Sequence, residues 1–408
     1  MTSHADIVIV GAGAAGLIAA IFAGRANAHR QIILVDGAAK LGAKILVAGG
    51  GRCNVTHEAV DETAYAGSSP GAIRKVLRRF DAHDTVAFFE GLGVMLKREE
   101  TGKLFPTTDS ARTVLDALLA GVRAAGVDVR NPRRVEWVES NGDGFRVGGA
   151  WGHIQTRKLV LATGGKSLPK SGSDGHGYTL ARSLGHTLTP QIFPALVPLL
   201  LPDSHFLRTL SGVSAQVSLR LHAAGGKTLK TFTGALLCTH FGLSGPVVLD
   251  ISRYYSAARF SDRDAYLSVN WLPGFTREDF DAYAISHPKA GIYRILHEML
   301  PDRLAKALIH ETGIEVGEVF GRLTRHQRQM LVQTLTALRL PISGDRGFTY
   351  AEVTAGGVPL SELHLESMES RICSGLHLCG EICDVDGRIG GYNFQWAWAS
   401  GFVAGNSL

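Results

Sequence analysis

Charge is sparse in this chain and nowhere concentrated. Only 19% of the 408 residues are charged, and 42 basic against 37 acidic side chains leave +5, with no block of like charges. So dilute a balance argues against a nucleic-acid partner. Cysteine is scarce as well: five, an odd number at irregular spacings, which excludes a disulfide framework and points to a reducing, cytoplasmic compartment. Fourteen prolines are too few for a collagen-like or low-complexity chain, and an apolar fraction of 45% excludes disorder. Glycine alone is in surplus, at 49 of 408 residues and without a period, or 12% against an average of about 7%.

The residues Ile7 to Gly24 carry no charge, about the length of a membrane span. His4, Ala5 and Asp6 before them are not the basic flank of a signal peptide, and Gly11, Gly13 and Gly16 interrupt the run, so no membrane association is expected. Asp6–Val10 reads as a strand buried on both faces of a parallel sheet, followed by Gly11-Ala12-Gly13-Ala14-Ala15-Gly16 and a helical apolar pattern. A second strand, Gln31–Val35, ends at Asp36. Gly11 permits the tight turn, Gly13 lets the backbone approach a pyrophosphate, and Gly16 allows close packing of helix on strand. The helix N-terminus, including the Ala14 and Ala15 amides, offers N–H groups to phosphate. Asp36 is placed to accept from an adenosine ribose with a free 2′-hydroxyl, as in FAD or NAD.

The loop that follows, Lys40 to Thr56, holds Gly42, Lys44, Gly49, Gly50, Gly51, Arg52, Cys53 and Asn54. A simple NAD dehydrogenase would pass here into another crossover helix; a cationic, glycine-rich loop suits a longer cofactor. Arg157–Gly165 is a buried strand ending at Thr163-Gly164, and Gly375–Glu381 is another, running into Gly380-Glu381. Gly390-Gly391-Tyr392-Asn393 then opens an apolar helix over Phe394–Ala404, whose positive end favours an anionic reduced flavin. FAD is therefore the expected tightly held cofactor, with Glu381 and Asn393 among its contacts.

These stretches resemble a known group, the bacterial flavoproteins that include BaiN-type bile-acid-pathway reductases and aminoacetone oxidase. The likeness lies in GAGAAG at Gly11–Gly16, GGGRCNVTH at Gly49–His57, LATGGKSLPKSGSDGHGY at Leu161–Tyr178, THFGLSGPVVL at Thr239–Leu249, VTAGGV at Val353–Val358 and the long run Met368–Gly405. The resemblance implies an α/β fold: a two-dinucleotide-binding, glutathione-reductase-like FAD Rossmann domain, with the backbone near Val135 at the adenine. This chain departs from the group's usual pattern with Ala48 in place of Ser, Asp174 and His176 in place of Thr and Asp, and Asp36 in place of Glu.

Between the cofactor motifs lies an insert of different texture. Val213 to His222 alternates apolar and polar residues, Ala223–Lys227 reads as a hairpin turn, and β structure is expected over 192–274. Helices are expected over 275–342, with starts at Thr276, Pro288, Pro301 and Thr324, and an amphipathic stretch Arg325–Leu340 with Met330, Leu331, Leu335 and Leu338 on its apolar side. The FAD-binding domain would then be split into 1–191 and 343–408, the insert serving as a lid.

No Ser-His-Asp arrangement and no metal-ligand spacing appears, and Cys53 has no CxxC partner. His240, before Phe241-Gly242-Leu243-Ser244-Gly245-Pro246, is the candidate catalytic residue, as proton donor or substrate anchor, with Ser244 as a cap and Pro246 as a helix start. A second dinucleotide fingerprint is absent from the sequence, so NAD(P)H would have to reach FAD through an open face. The expected activity is FAD-dependent, NAD(P)H-linked reduction of a small unsaturated or carbonyl substrate. An amine or aminoketone oxidase using oxygen, a flavin-dependent RNA-modifying protein and a non-catalytic flavin sensor remain as alternatives. Oligomeric state is not legible.

Overall fold

The computed structural model describes residues 3–408. It divides into two compact units, one running to Pro194 and resuming over Glu352–Leu408, the other spanning Ala195–Ala351.

The first unit is built on a parallel sheet in the order Asp128–Arg130, Ile32–Val35, Ser3–Val10, Gly152–Leu161, Leu376–Leu378. Its strands are continuous apolar runs because both faces are covered: Val8, Ile9, Leu34, Leu159 and Val160 are fully or almost fully buried. Glu369–Ser370 and Leu363–His364 extend one edge antiparallel, and Phe145–Gly149 with Trp137–Ser140 forms an antiparallel flap on the Gly152–Leu161 strand. The strand order reverses at Ser3–Val10, which has Ile32–Val35 on one side and Gly152–Leu161 on the other, so a crevice opens at their C-terminal ends. The uncharged run resolves into the end of the first strand and the helix Ala14–Ala26. No helix among the described residues is long and apolar enough to cross a membrane.

That first helix packs against the C-terminal helix Tyr392–Asn406 at very short range. A Cβ on Gly401 would lie 2.5 Å from the Ala15 carbonyl oxygen, and one on Gly405 2.5 Å from that of Ala19. Only the missing side chains allow this approach, and it brings both helix N-termini to the same crevice.

His377 lies in the core strand Leu376–Leu378, fully buried, and neither ring nitrogen meets a hydrogen-bond partner. Burial pushes its pKa from the usual 6.5 down to about 4. The folded protein thus keeps a neutral imidazole while the unfolded chain protonates below pH 6.5, so stability is full above 6.5 and falls as the pH drops toward 4. The expected loss is about 3 kcal/mol over that window. Urea denaturation at pH 7 and pH 4.5 checks this, with His377→Leu removing the extra acid sensitivity.

The second unit is a seven-stranded antiparallel sheet in the order Leu338–Leu340, Tyr266–Asn270, Ser214–His222, Thr228–Thr239, Gly242–Ser244, Leu199–Leu200, Gly344–Asp345. Val217, Leu219, Leu221, Leu267 and Val269 are buried. Helix Pro246–Ser261 packs on the sheet, with Phe232 and Tyr254 ring centroids 5.5 Å apart. Arg277–Ser286, Ile292–Met299, Asp302–Glu311 and Arg325–Ala337 complete this core. Thr276 and Thr324 cap their helices as expected, through capping boxes with Asp279 and Gln327.

Several expectations need correction here. The insert does not end at 342: Gly344–Asp345 pairs with Leu199–Leu200, which holds the chain in the second unit up to Ala351. Pro288 starts no helix, since the turn continues to Ile292 and the Pro288 carbonyl accepts from the Gly321 N–H. Ser244 does not cap, because it pairs with Leu237 as a strand residue and Gly245 takes the N-cap position before Pro246. The stretch Arg325–Leu340 breaks at Ala337, where Leu338–Leu340 leaves the helix to pair with the Tyr266–Asn270 strand. Met330 falls off the Leu331 and Leu335 stripe and is exposed.

Candidate cofactor site

The crevice of the first unit is a cavity of about 640 Å³, within the usual range of ligand sites of about 300–1,000 Å³. At its head the first strand turns through Gly11, whose φ of +104° is left-handed and whose Cβ would fall 2.4 Å from the Ala162 carbonyl oxygen. Gly16 is pressed as closely: a Cβ there would meet the Gly11 carbonyl oxygen at 1.8 Å. Gly13 differs, because a Cβ at that position would meet no protein atom within 4 Å, and the residue lines the cavity. The first helix has no side-chain cap and no acidic residue in its first turn, so its leading N–H groups face the cavity without an intramolecular partner.

Asp36 closes this end. One of its oxygens accepts from the Ala12 N–H at 2.6 Å and the other from the Ala38 N–H at 2.7 Å, which fixes the carboxylate at the cavity wall with lone pairs to spare. Val135 lines the same cavity and is buried. Cationic side chains outnumber carboxylates along the wall, Lys40, Arg133 and Lys170 among them. That excess suits a diphosphate.

At the other end one carboxylate organises four segments. Glu381 Oε2 accepts from Lys44 Nζ at 2.5 Å, while Oε1 accepts from the Ser167 hydroxyl at 2.8 Å and the Thr354 N–H at 2.9 Å. Lys44 also donates to the Ser167 hydroxyl at 2.6 Å, and Thr354 Oγ1 accepts from the Lys166 and Ser167 N–H groups. The C-terminal helix opens beside this network at Gly391, again with no side-chain cap. Three polar atoms of wall residues, Asn54 Oδ1, Thr163 Oγ1 and Ser173 Oγ, are buried with no protein partner. The open space at Gly13, two uncapped helix N-termini and these orphaned atoms fit an FAD.

The HI0933-like protein Rossmann domain model matches residues 5–407. The chain belongs to that family. The protein is a flavin-dependent oxidoreductase with a Rossmann-type FAD-binding domain. The chain is 35% identical over 407 residues to a 3-dehydro-bile acid delta(4,6)-reductase of Clostridium scindens, covering 98% of each protein. It is 36% identical over 406 residues to a ribosomal RNA dihydrouridine synthase of Escherichia coli, covering 99% of this chain and 98% of that protein. Its fold is also similar to that of a 3-ketosteroid delta1-dehydrogenase from Sterolibacterium denitrificans, with a TM-score of 0.52 and 13% identity over 99% of each chain.

Measured against the sequence reading, this HI0933-like site gathers Gly11, Gly13, Ala14, Ala15, Asp36, Gly42, Lys44, Gly50, Arg52, Asn54, Val135, Thr163, Gly164, Gly380, Glu381, Gly390, Gly391 and Asn393 on one wall system. Gly16 and Cys53 are buried and do not line it, and Gly51 is exposed outside it. Cys53 is fully buried, and burial pushes its thiol up to about 12, as it does for Cys379, which leaves both inert as nucleophiles. Asn393 spends its amide on its own loop, accepting from the Gly387 N–H at 2.8 Å and donating to the Gly387 carbonyl at 2.9 Å.

His240 belongs to the second unit. It is exposed at the turn between Thr228–Thr239 and Gly242–Ser244, its ring edge-on to Phe241 and its carbonyl accepting from Arg208 Nε at 2.7 Å. Sequence reasoning missed Lys103 and Phe105, from the strand Lys103–Pro106, together with Arg134 and Ser173. Arg52 stacks its guanidinium 4.0 Å from the Phe105 ring centroid and pairs with Glu99 at 2.6 Å. The only signal for Arg134 was its place beside Val135.

Proposed function

We propose that the protein reduces a carbon–carbon double bond conjugated to a carbonyl, with NAD(P)H as electron donor. The observation that carries this reading is what the two full-length relatives have in common. A 3-dehydro delta(4,6) steroid is a dienone, and uridine becomes dihydrouridine by gaining two hydrogens across a double bond conjugated to a ring carbonyl. Both are electron-poor alkenes that accept hydride at the carbon remote from the carbonyl. FAD supplies that hydride chemistry when bound. The chain's part is to hold the diphosphate at the first helix N-terminus, anchor the ribose at Asp36 and fix the loops around the Lys44–Glu381 pair. A dithiol entry point is disfavoured, because Cys53, Cys379 and Cys383 are buried thiols that burial pushes above the ordinary range. A diffusible hydride donor meets that requirement, and the free cysteines suit a reducing cytoplasmic setting.

The same double bond can arrive on a small molecule or on RNA, and the relative at 36% identity favours RNA as a second carrier. Anaerobic mixing with NADPH or NADH should bleach the flavin band near about 450 nm faster than free FAD reacts. Added dienone or uridine-containing RNA should then restore the band without peroxide. No bleaching with either donor, together with peroxide from an aminoketone, would replace this reading with an oxidase.

A further inference from the structure

We propose that the open face of the second unit's antiparallel sheet docks single-stranded RNA. The inference rests on RNA as a carrier of the reducible double bond, and it concerns a surface rather than the chemistry.

Charge first separates the two units. Residues 195–351 hold 17 Lys and Arg against 13 Asp and Glu, which is +4 of the whole chain's +5. The sheet register then sorts these residues by face. Leu219 stands opposite Val269, and Leu221 opposite Leu267, on the buried face. The intervening pairs, Arg220 with Ser268 and His222 with Tyr266, point the other way, and Arg339 joins them opposite Ser268. Part of this face is open: Arg339 is exposed, as are Thr231 and Thr233 on the neighbouring strand, and Arg220, His222 and Tyr266 are half-buried, while Ser218, Ser268 and Asn270 on the same face are buried.

Its planar groups are already stacked. The His222 and Tyr266 rings lie 4.8 Å apart at 16°, and the Arg339 guanidinium stands 4.2 Å from the Tyr266 centroid. His222 Nε2 is held on the Ser268 hydroxyl at 2.8 Å. Among the described residues no carboxylate lies within ion-pair distance of Arg220 or Arg339. Asp262, in the turn before Tyr266, spends its oxygens on the Ala224 and Asp264 N–H groups.

Two unpaired guanidinium groups beside a fixed stack of π-faces match the two things unpaired RNA offers, phosphates and splayed bases. Sheet faces of antiparallel strands bind RNA in this way, with phosphate contacts for affinity and stacking for the bases. A membrane surface or a phosphopeptide would use the cations but not the stack.

The test uses the full-length, FAD-loaded protein and a fluorescent oligouridylate, followed by anisotropy over a range of salt. Arg220→Gln/Arg339→Gln should flatten the slope of log affinity against log salt by roughly 1.4, at about 0.7 per phosphate contact. The same factor raises Kd about 25-fold at ~0.1 M salt. His222→Leu should weaken binding by roughly 5- to 100-fold through lost stacking and leave the slope unchanged. Unchanged FAD absorbance and Tm in each variant show that folding is intact. Arg112→Gln/Arg123→Gln, on the exposed side of a helix in the first unit, should change nothing; an equal loss there would overturn the proposal. So would displacement of the oligouridylate by phosphatidylglycerol vesicles with the same dependence on Arg220 and Arg339. If the wild type ignores the oligouridylate while NAD(P)H bleaches its flavin and a dienone restores it, the docking surface is wrong and the reductase stands. If RNA is held by this face but no donor bleaches the flavin, the reductase reading fails alone.

Discussion

Gly13→Val yields a folded protein that loses much of its flavin on gel filtration. Gly13 has an ordinary extended backbone, with φ −84° and ψ −169°, so a β-branched residue meets no conformational penalty there. Its Cβ would touch no protein atom within 4 Å, and the fold has room for the isopropyl group. The room in question is the space in front of the Ala14 and Ala15 N–H groups, where a diphosphate must come close. Overfilling it is expected to weaken FAD binding by about 2–3 kcal/mol, roughly 30- to 150-fold in Kd. The 450 nm to 280 nm absorbance ratio after gel filtration and a fluorescence titration with FAD measure the effect. Gly11→Ala and Gly16→Ala should fail differently. There the new Cβ strikes backbone oxygen at 2.4 and 1.8 Å, so the thermal midpoint falls with or without FAD. A yellow, fully loaded Gly13→Val protein would refute the placement of the diphosphate.

That contrast also shows how far the sequence could be read. The first strand, the glycine turn, the helix and Asp36 are consecutive, and each has a local signature: a β-branched run, glycines at fixed offsets, a helical period, a terminal acid. The loop after them was legible only as a glycine cluster. Its Gly49, Gly50 and Gly51 are left-handed, but so is Cys53, at φ +60°, and nothing about a cysteine announces that. Lys44 could be named as a cofactor residue, yet its partner Glu381 is brought to it by the sheet, from the far end of the chain. Ser167 and Thr354 join that network through a hydroxyl each, the weakest of sequence signals. The end of the insert was misplaced because Gly344–Asp345 forms a two-residue strand with no apolar pattern of its own. Net charge alone does not show where charge sits: of +5 over 408 residues, +4 falls within the 157 residues of the second unit.

Glu381 is where these distant segments should prove interdependent. Glu381→Leu leaves the Lys44 ammonium, the Ser167 hydroxyl and the Thr354 N–H without their shared acceptor. Lys44 and Glu381 side chains are 28% and 19% exposed, so water relieves part of the deficit, and the expected cost is about 2–4 kcal/mol, below that of a fully buried pair. The loss should appear first in the apo-protein as a lowered Tm and then as weaker FAD binding, because the loops carrying Lys44 and Thr163 lose their common anchor. Glu381→Gln keeps an acceptor oxygen for Ser167 and Thr354 and loses only the charge, so it should cost about 1–2 kcal/mol. Adding Lys44→Met to Glu381→Gln removes the stranded cation, and the double variant should be more stable than the sum of the two singles by about 0.5–3 kcal/mol. Strict additivity in this cycle, or a Glu381→Leu protein as stable as Glu381→Gln, would mean that the carboxylate does not join the segments and that each loop holds itself.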